Sequence, residues 1–371
     1  MSETRVTTIV GTRPELIRLS LLINRLDDVF NHRLVHTGQN SDFNLSEVFF
    51  KGLNIRNPDN HLNIKNSSLG LFLGKLFPGV EDEFDKFPPD AVVILGDTNS
   101  ALSGLIAKRK GIPIYHLEAG NRAFDQNVPE EINRRVIDHF ADFNLAYTQN
   151  ARNNLISEGI SPRTVSVIGS PLCEVINNFS EDINSSEILV QLKIKPDNYF
   201  VVSAHRQENV DDPTRLSDLM DSLNEIAVKY GLPIVVSTHP RIKSKLDKLK
   251  IDLNPLILLH EPFGFFDYCK LQKNSRLVLS DSGSVSEEAV ILGFKAVTIR
   301  NSMERPEALE SGSVILAGIN KKSVLKAIEV IEFGASSKSP PIEYLIPDSS
   351  TRVLNFMVST IYQHKFWSGL R

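Results

Sequence analysis

Two α/β domains, each built on a parallel sheet covered by helices, are what this sequence predicts. Three observations carry that reading. Short apolar runs alternate with segments of helical period almost from end to end. The alternation loosens once, in the polar, Asn/Ser-rich stretch Asn177 to Ser186, and then restarts. And 371 residues exceed what one ordinary core spans, while two domains of half that length each bury a proper interior.

Taken in order, the strand-like runs of the first half are Val6 to Val10, Leu34 to Thr37, Ala91 to Leu95, Ile112 to His116 and Phe143 to Tyr147. Those of the second are Tyr199 to Ala204, Ile234 to Ser237, Leu256 to His260, Leu277 to Ser280 and Ala296 to Ile299. The expected limits are therefore 1–170 for the first domain and 190–345 for the second, with a linker near 170–190. A tail from Ser349 to Trp367 carries Val353, Leu354, Phe356, Met357, Ile361 and Tyr362 at helical spacing, compatible with packing on either domain. No internal repeat or low-complexity segment interrupts this order.

Composition excludes several function classes. A formal charge of −4, with lysines and arginines scattered and not blocked, argues against nucleic acid as a partner. Any anionic ligand must be met by a local site. The two cysteines, Cys173 and Cys269, are far apart and outside metal or CxxC spacing, so a reduced, cytoplasmic protein without a structural metal is expected. No apolar leader precedes the first strand and no run is long enough to span a bilayer, so neither secretion nor a membrane partner is expected.

The chemistry gathers where strands end. The stretch His116 to His139 holds Glu118 at the end of a buried strand, Arg122 and Asp125 in a loop, and Pro129-Glu130-Glu131 opening a helix. Strand ends are where open α/β sheets keep their ligands. Helix capping is the competing account of the Glu-Glu pair, but it leaves the strand-end acid and the arginines unexplained. Gly96-Asp97-Thr98 repeats the logic one strand earlier, with Asp97 either an N-cap or a second acid facing the same crevice as Glu118. Two carboxylates so placed can be driven apart in pKa, which divides acid from base work. Gly11-Thr12-Arg13-Pro14-Glu15 follows the first strand as a tight turn into a helix, where Arg13 and Arg18 suit a phosphate and bracing of the turn is the alternative. It is neither the G-x-G-x-x-G fingerprint nor a Walker loop, so a bound dinucleotide cofactor loses support.

In the second half, His205-Arg206 ends the run Val201-Val202-Ser203-Ala204, placing a group that titrates near neutrality and can donate to an oxyanion. Asp281-Ser282-Gly283-Ser284 then supplies small residues at a helix start, with Glu287-Glu288 one turn in. In outline this is a nucleotide-sugar grip, phosphate on amides and ribose hydroxyls on a carboxylate. Glu304-Arg305-Pro306-Glu307 adds an arginine to the same edge.

GTRPE at 11, GDTNSAL at 96, HLEAGNR with PEEINR at 116 to 134, AHRQENV at 204, SDSGSVSEEA at 280 and MERPEA at 303 together resemble, in order, the non-hydrolysing UDP-N-acetylglucosamine 2-epimerase family. The match spans nearly the whole chain. Within the family GQN at 38, AGNRAFDQNVPEE and FGFFDY at 263 look most like the branch that converts UDP-2-acetamido-2,6-dideoxy-L-talose to UDP-N-acetyl-L-fucosamine. The resemblance implies two Rossmann-like domains facing across a cleft, as in GT-B glycosyltransferases, with the last helix returning to the N-terminal domain. It implies inversion at C2 by anti-elimination of UDP to a 2-acetamidoglycal and re-addition on the opposite face, with no cofactor and no metal. A homodimer acting on a UDP-sugar is the expected assembly.

Carried over by position, the resemblance makes Asp97, Glu118 and Glu130 the acidic catalytic residues and His205 the histidine near the diphosphate. Arg13, Ser282, Gly283 and Ser284 fall on phosphate-contacting positions and Glu288 on the ribose-binding acid. Arg134 and Arg305 are expected sugar or phosphate contacts. Three positions depart from many members of the family: Arg18 stands for lysine, Ser284 for the second glycine of the turn, and Asn40 for a histidine after Gln39, where some bacterial members bind an activating substrate molecule. The competing functions are a GT-B glycosyltransferase, a hydrolysing epimerase and a non-catalytic nucleotide-sugar sensor. Incubation with UDP-sugar alone, loss of UDP-sugar, and exchange of solvent deuterium into C2 separate them.

Overall fold

Every apolar run of the sequence becomes a strand of one of two parallel sheets in the computed structural model, which describes residues 4–39, 50–64, 68–238, 241–249, 251–334 and 339–369. The first sheet contains β1 (Arg5–Val10), β2 (Asn31–His36), β3 (Asn60–His61), β4 (Ala91–Leu95), β5 (Ile114–Leu117), β6 (Phe143–Ala146) and β7 (Val165–Val167) in the order β3-β2-β1-β4-β5-β6-β7. The second contains β8 (Phe200–Ser203), β9 (Ile234–Ser237), β10 (Ile257–His260), β11 (Leu277–Ser280), β12 (Ala296–Thr298) and β13 (Val314–Leu316) in the order β10-β9-β8-β11-β12-β13. All pairs are parallel. The chain divides into two compact units, Met1–Val175 with Leu345–Arg371, and Ile176–Tyr344.

In the first unit the helix Leu69–Lys86 turns Phe72, Leu76, Val80 and Phe84, four residues apart, onto Ile9, Val92 and Ile94 of the sheet. Each such side chain, fully buried, contributes about 1.5–3 kcal/mol. The tail belongs to this unit and breaks into Ser349–Thr360, a short 3-10 turn and His364–Trp367. It is fastened by particular contacts: Phe143 stacks on Tyr115 at 4.8 Å and meets Phe356 edge-on, the Tyr115 hydroxyl lies 2.7 Å from Thr360 Oγ1, and His364 Nε2 lies 2.9 Å from Asp142.

The second unit shows why its strands read as continuous apolar runs. Phe200 and Val202 of β8 pack with Leu216, Met220 and Leu223 of the helix Pro213–Tyr230, whereas Tyr199 and Val201 pack with Leu271, Val285 and Ala289 on the other face. A parallel sheet covered on both faces needs apolar residues at both parities. Asp212 caps the helix Pro213–Tyr230 by accepting from Thr214 N–H and Arg215 N–H, and Gly231, at φ 61°, ends it.

Two expectations change. The polar stretch near 170–190, expected to be a linker, is largely helical over Pro171–Asn178, Ser180–Ser185 and Ile188–Gln191, with Phe179, Ile183 and Ile188 buried: its Asn and Ser residues lie on outer faces of short helices. Three strands not expected from the sequence, β3, β7 and β13, are added, each two or three residues long; β12 is as short, but its run extends to Ile299.

Candidate active site

In each sheet the strand order reverses once, between β1 and β4 in the first and between β8 and β11 in the second. A crevice opens at such a point, outside the carboxyl ends of the two strands, because the connecting helices leave to opposite faces. The motifs singled out by sequence follow these four strands: Gly11-Thr12-Arg13 after β1, Gly96-Asp97 after β4, His205-Arg206 after β8 and Asp281-Ser282-Gly283 after β11.

The turn after β1 is built around Glu15, a buried residue the sequence reading quoted but gave no role. Gly11 N–H and Thr12 N–H donate to its Oε2 at 3.0 and 2.7 Å, the Thr12 hydroxyl donates to the same oxygen at 2.7 Å, and the Thr98 hydroxyl donates to Oε1 at 3.0 Å. Burial pushes this carboxyl up to about 7 against the four donors. The pattern is a capping box that also ties the first turn to the residue after Asp97. Gly11 is required by proximity, since a Cβ there would meet Ser100 Oγ at 2.0 Å and Thr37 Oγ1 at 2.4 Å. Arg13, half-buried, and Arg18, buried, lie on the helix Arg13–Val29 that starts here.

Asp97 and Glu118 end adjacent paired strands, as β4 and β5 run in register from Val92 with Ile114 to Leu95 with Leu117. Arg134, on the helix Pro129–Phe140, donates Nε and Nη2 to Asp97 Oδ2 at 3.1 and 2.6 Å and Nη1 to Glu131 at 3.0 Å. Asp97 is thus a salt-bridged carboxylate, and the N-cap alternative is not realised, because the next helical turn, Ala101–Ser103, has Ser100 at its N-cap position. Around Glu118, Arg18 Nε lies 3.7 Å from Oε2 and Asn121 Nδ2 donates to Oε1 at 3.4 Å. Its backbone is at φ 65°, a left-handed conformation that costs a non-glycine residue about 1–2 kcal/mol and points to a site that constrains it.

The Glu130-Glu131 pair separates. Glu131 is buried and accepts from Ala123 N–H at 2.9 Å as well as from Arg134, whereas Glu130 is exposed in the first turn of its helix. Behind this front lies a buried set that the sequence reading did not assign, His116, Asp138 and Arg122, all within the strand-to-helix segment that begins at β5. The available signal was the spacing of charged residues on the inner face of the helix Pro129–Phe140: Glu131, Arg134 and Asp138 recur at intervals of three and four.

In the second unit Asp281, buried, collects the His205 N–H at 3.1 Å, the Arg206 N–H at 3.0 Å and Asn209 Nδ2 at 3.0 Å, so the turn after β8 is shaped by the residue after β11. The His205 side chain is exposed. Ser282 Oγ and Ser284 Oγ lie 2.8 Å apart, and the Ser284 hydroxyl donates to Glu288 Oε1 at 2.7 Å, while Gln272 donates to Oε2 at 2.6 Å. Ser284, standing for a glycine, therefore links the expected phosphate loop to the expected ribose acid. A Cβ at Gly283 would meet Glu304 Oε1 at 2.5 Å and Arg305 Nη1 at 3.0 Å, so a side chain there would displace the ends of that buried pair. Arg305 is buried in an ion pair with Glu287 at 2.7 Å, beneath the loop.

The structure thus brings together Asp97, Glu118, Arg18 and Arg134 in the first unit, and Ser282, Gly283, Ser284, Glu288 and Arg305 in the second. Gln39 binds the loop after Asp97 through Ser100 N–H and Oγ, at 2.9 and 2.8 Å, and Asn40 lies outside the described residues. Among the described residues no cluster of His, Cys, Asp and Glu suits a metal ion, and no helix is long and apolar enough to cross a membrane.

The family model described as UDP-N-acetylglucosamine 2-epimerase matches residues 24–358. The chain belongs to the UDP-N-acetylglucosamine 2-epimerase family. It is 38% identical over 336 residues to a Methanocaldococcus jannaschii protein named UDP-N-acetylglucosamine 2-epimerase, covering 88% of this chain and 92% of that one. It is 33% identical to a Pseudomonas aeruginosa protein named UDP-2,3-diacetamido-2,3-dideoxy-D-glucuronate 2-epimerase, over 87% of this chain and 91% of that one. Among solved structures it is similar to the Methanocaldococcus jannaschii UDP-GlcNAc 2-epimerase in complex with UDP-GlcNAc and UDP, at TM-score 0.89 and 35% identity over 96% of this chain and 100% of that one. The chain is accordingly an isomerase, a UDP-sugar 2-epimerase of the non-hydrolysing kind, with the two parallel-sheet α/β domains of that family.

Proposed function

We propose that this epimerase inverts C2 of a UDP-N-acetylamino sugar by eliminating and re-adding UDP, and that its substrate is UDP-2-acetamido-2,6-dideoxy-L-talose, giving UDP-N-acetyl-L-fucosamine. The observation that carries the chemistry is the placement of Asp97 and Glu118 at the ends of paired strands, with Arg134 and Arg18 beside them. In the forward half-reaction a carboxylate takes the C2 proton, the C1–O bond breaks with its electron pair leaving on UDP, and a C1=C2 double bond forms. In the return, UDP oxygen re-forms the bond to C1 and a proton is delivered to C2 on the opposite face. A carboxylate clamped by two N–H donors is a poor exchanger of protons. Glu118, in a constrained backbone at its strand end, is the exchanging group; Asp97, clamped, orients the sugar; Glu130, exposed one turn before Arg134 on the same helix, completes the acidic set.

The second unit binds the nucleotide: the loop Ser282-Gly283-Ser284 for the diphosphate, assisted by His205 and Arg305, and Glu288 for ribose hydroxyls; in the first unit Arg13 is a phosphate-binding residue. The substrate assignment rests on the segments around Gly38, Asn121 to Glu131 and Phe263 to Tyr268. The names of the relatives favour UDP-N-acetylglucosamine as the second reading. A homodimer is supported by Leu105, Ile132 and Val136, apolar and 41%, 61% and 49% exposed on two neighbouring helices of the first unit.

Incubation with each UDP-sugar in deuterated water, followed by proton NMR, tests both levels. Deuterium at C2 with no net loss of UDP-sugar is expected, fastest with the 6-deoxy-L-talo substrate. Faster exchange with UDP-N-acetylglucosamine overturns the substrate assignment, and absence of exchange from both overturns the proposal. Glu118→Gln is expected to lower exchange by about 10²–10⁴-fold while UDP still binds.

A further inference from the structure

His116 is the last but one residue of β5, two residues before Glu118, and it is wholly buried. Its Nε2 lies 2.8 Å from the carbonyl oxygen of Gly96, the residue before Asp97. Its Nδ1 lies 2.9 Å from Asp138 Oδ1. A carbonyl oxygen only accepts, so Nε2 carries a hydrogen. Asp138 also accepts from the Gly120 N–H, at 3.3 and 3.2 Å to its two oxygens, and pairs with Arg122 Nη1 at 2.7 Å, which fixes it as a carboxylate and requires a hydrogen on Nδ1 as well. With an oxygen acceptor within 2.9 Å of each ring nitrogen, the geometry points to a hydrogen on both, the imidazolium form. Burial opposes the charge, but the Asp138 hydrogen bond, its charge and the Gly96 carbonyl prevail and raise the pKa.

Other groups facing this centre balance it. Arg122 continues to Glu158, with Nε and Nη2 donating at 2.8 and 2.5 Å, and its Nη1 also donates to the Asn121 carbonyl at 2.7 Å. Asn144 of β6 donates Nδ2 to the Asp138 carbonyl at 3.0 Å. His116 and Arg122 stand against Asp138 and Glu158, and the half-exposed Arg135 meets Glu158 from outside at 3.3 Å, so each buried charge has an opposite partner.

The consequence lies in what the two ends hold. At one end is the turn carrying Asp97, in which Gly96 stands at φ 70°; at the other, through Asp138, is the turn carrying Glu118, in which Glu118 and Gly120 stand at φ 65° and 84°. Both turns leave ordinary strand geometry: the ladder between β4 and β5 ends where the Gly96 N–H donates to the Leu117 carbonyl at 2.9 Å, and beyond it the Gly96 carbonyl is met by His116 and the Gly120 N–H by Asp138. We infer that His116 is a positioning residue, an imidazolium bridge that sets the two strand-end acids at one fixed separation and orientation by holding the Gly96 carbonyl and the Asp138 carboxylate together. The inference rests on the reading of Asp97 and Glu118 as the acids that serve C2. Its function follows from the tolerance of proton transfer, where a displacement of about 1 Å costs about 10²-fold in rate.

Two measurements test it separately. In protein labelled with ¹⁵N-histidine, with His116→Gln used to assign the signal among the nine histidines, the His116 ring is expected to show two N–H nitrogens of imidazolium type at about pH 7, where a free histidine is mostly neutral. A single neutral tautomer at about pH 7 overturns the bridge. In kinetics, His116→Gln is expected to lower kcat and C2 deuterium exchange together by about 10²-fold, with KM and UDP affinity changed less than about threefold and the melting temperature of the second unit unmoved. Asp138→Asn keeps the shape, lets His116 relax to a neutral tautomer, and is expected to show the same kcat loss; it decides the matter where His116→Gln does not fold. Unchanged kcat in a folded variant, or a loss confined to KM, refutes the positioning role. Undiminished exchange in both Asp97→Asn and Glu118→Gln instead removes the acids from the reaction and leaves the NMR result standing, so the two failures are told apart.

Discussion

The two units solve the same topological problem with opposite chemistry. At the switch point of the first sheet the groups that matter are charged side chains, each held by an opposite charge: Asp97 by Arg134, Glu118 beside Arg18, and His116 against Asp138 behind them. At the switch point of the second sheet the buried carboxylate Asp281 gathers main-chain N–H groups and shapes two turns, with the Arg305–Glu287 pair beneath the loop, leaving small residues and an exposed His205 at the front. Proton transfer needs side chains aimed within a fraction of an ångström, so the first unit spends its buried charge on aim. Phosphate recognition needs amides turned outward, so the second spends its buried charge on loop shape.

The comparison breaks most completely at Asp281. Asp281→Ala strands up to three donors that the carboxylate satisfied, and is expected to cost about 4 kcal/mol of unfolding free energy in the second unit and to abolish UDP binding, read by denaturant titration and calorimetry. UDP bound at wild-type affinity by the weakened protein would show that this loop is not the nucleotide's grip. The next effect lies in the first unit, at Glu15. Its carboxyl is raised from 4.5 to about 7, a displacement equivalent to roughly 3 kcal/mol. The unfolded chain releases this proton near the ordinary value and the folded one retains it, so wild-type stability falls as pH rises from about 4.5 to about 7 and is level above. Glu15→Gln, whose amide can accept from the turn and donate to Thr98 Oγ1, removes that slope. Denaturant unfolding at several pH values checks it, and parallel pH profiles for the two proteins would mean that Glu15 is ionised in the fold like its unfolded counterpart.

Much of this was legible in the sequence because the signals were local. Ten of the thirteen strands among the described residues announce themselves as apolar runs of four or more residues, and Asp97, Glu118 and Ser282 are visible as polar residues that close such runs. What was not legible depends on partners distant in sequence. The two glutamates Glu130 and Glu131 are equivalent as a helix opening, and only the position of Arg134 relative to Asp97 decides that one is buried and one exposed. Arg134 and Arg305, carried over as ligand contacts, lie in pairs with Asp97 and Glu287, thirty-seven and eighteen residues away. Short strands such as Val314–Leu316 and the helices of the Asn/Ser-rich stretch escape for a different reason: their stability comes from burial of one or two side chains against an existing sheet, which no local period records.

The finest cut through the comparison is Arg134. If the arginine serves chiefly to aim Asp97, then Arg134→Met, which preserves the buried length of the side chain and removes three donors to Asp97 and Glu131, takes away the cation that Asp97 and Glu131 share and leaves Arg135 on Glu131 alone, at 3.2 Å. One of the two carboxylates must swing outward or take up a proton, and the aim of Asp97 is lost in either case. A fall of about tenfold to a hundredfold in kcat, with UDP affinity intact, is the expected result. Arg134→Lys should recover only part of it, because an ammonium cannot make the paired Nε and Nη2 contacts that fix a carboxylate in plane. Were the arginine instead a direct contact to the leaving diphosphate, both variants would weaken UDP binding along with turnover, and the division of labour between the two units would have to be redrawn at this residue.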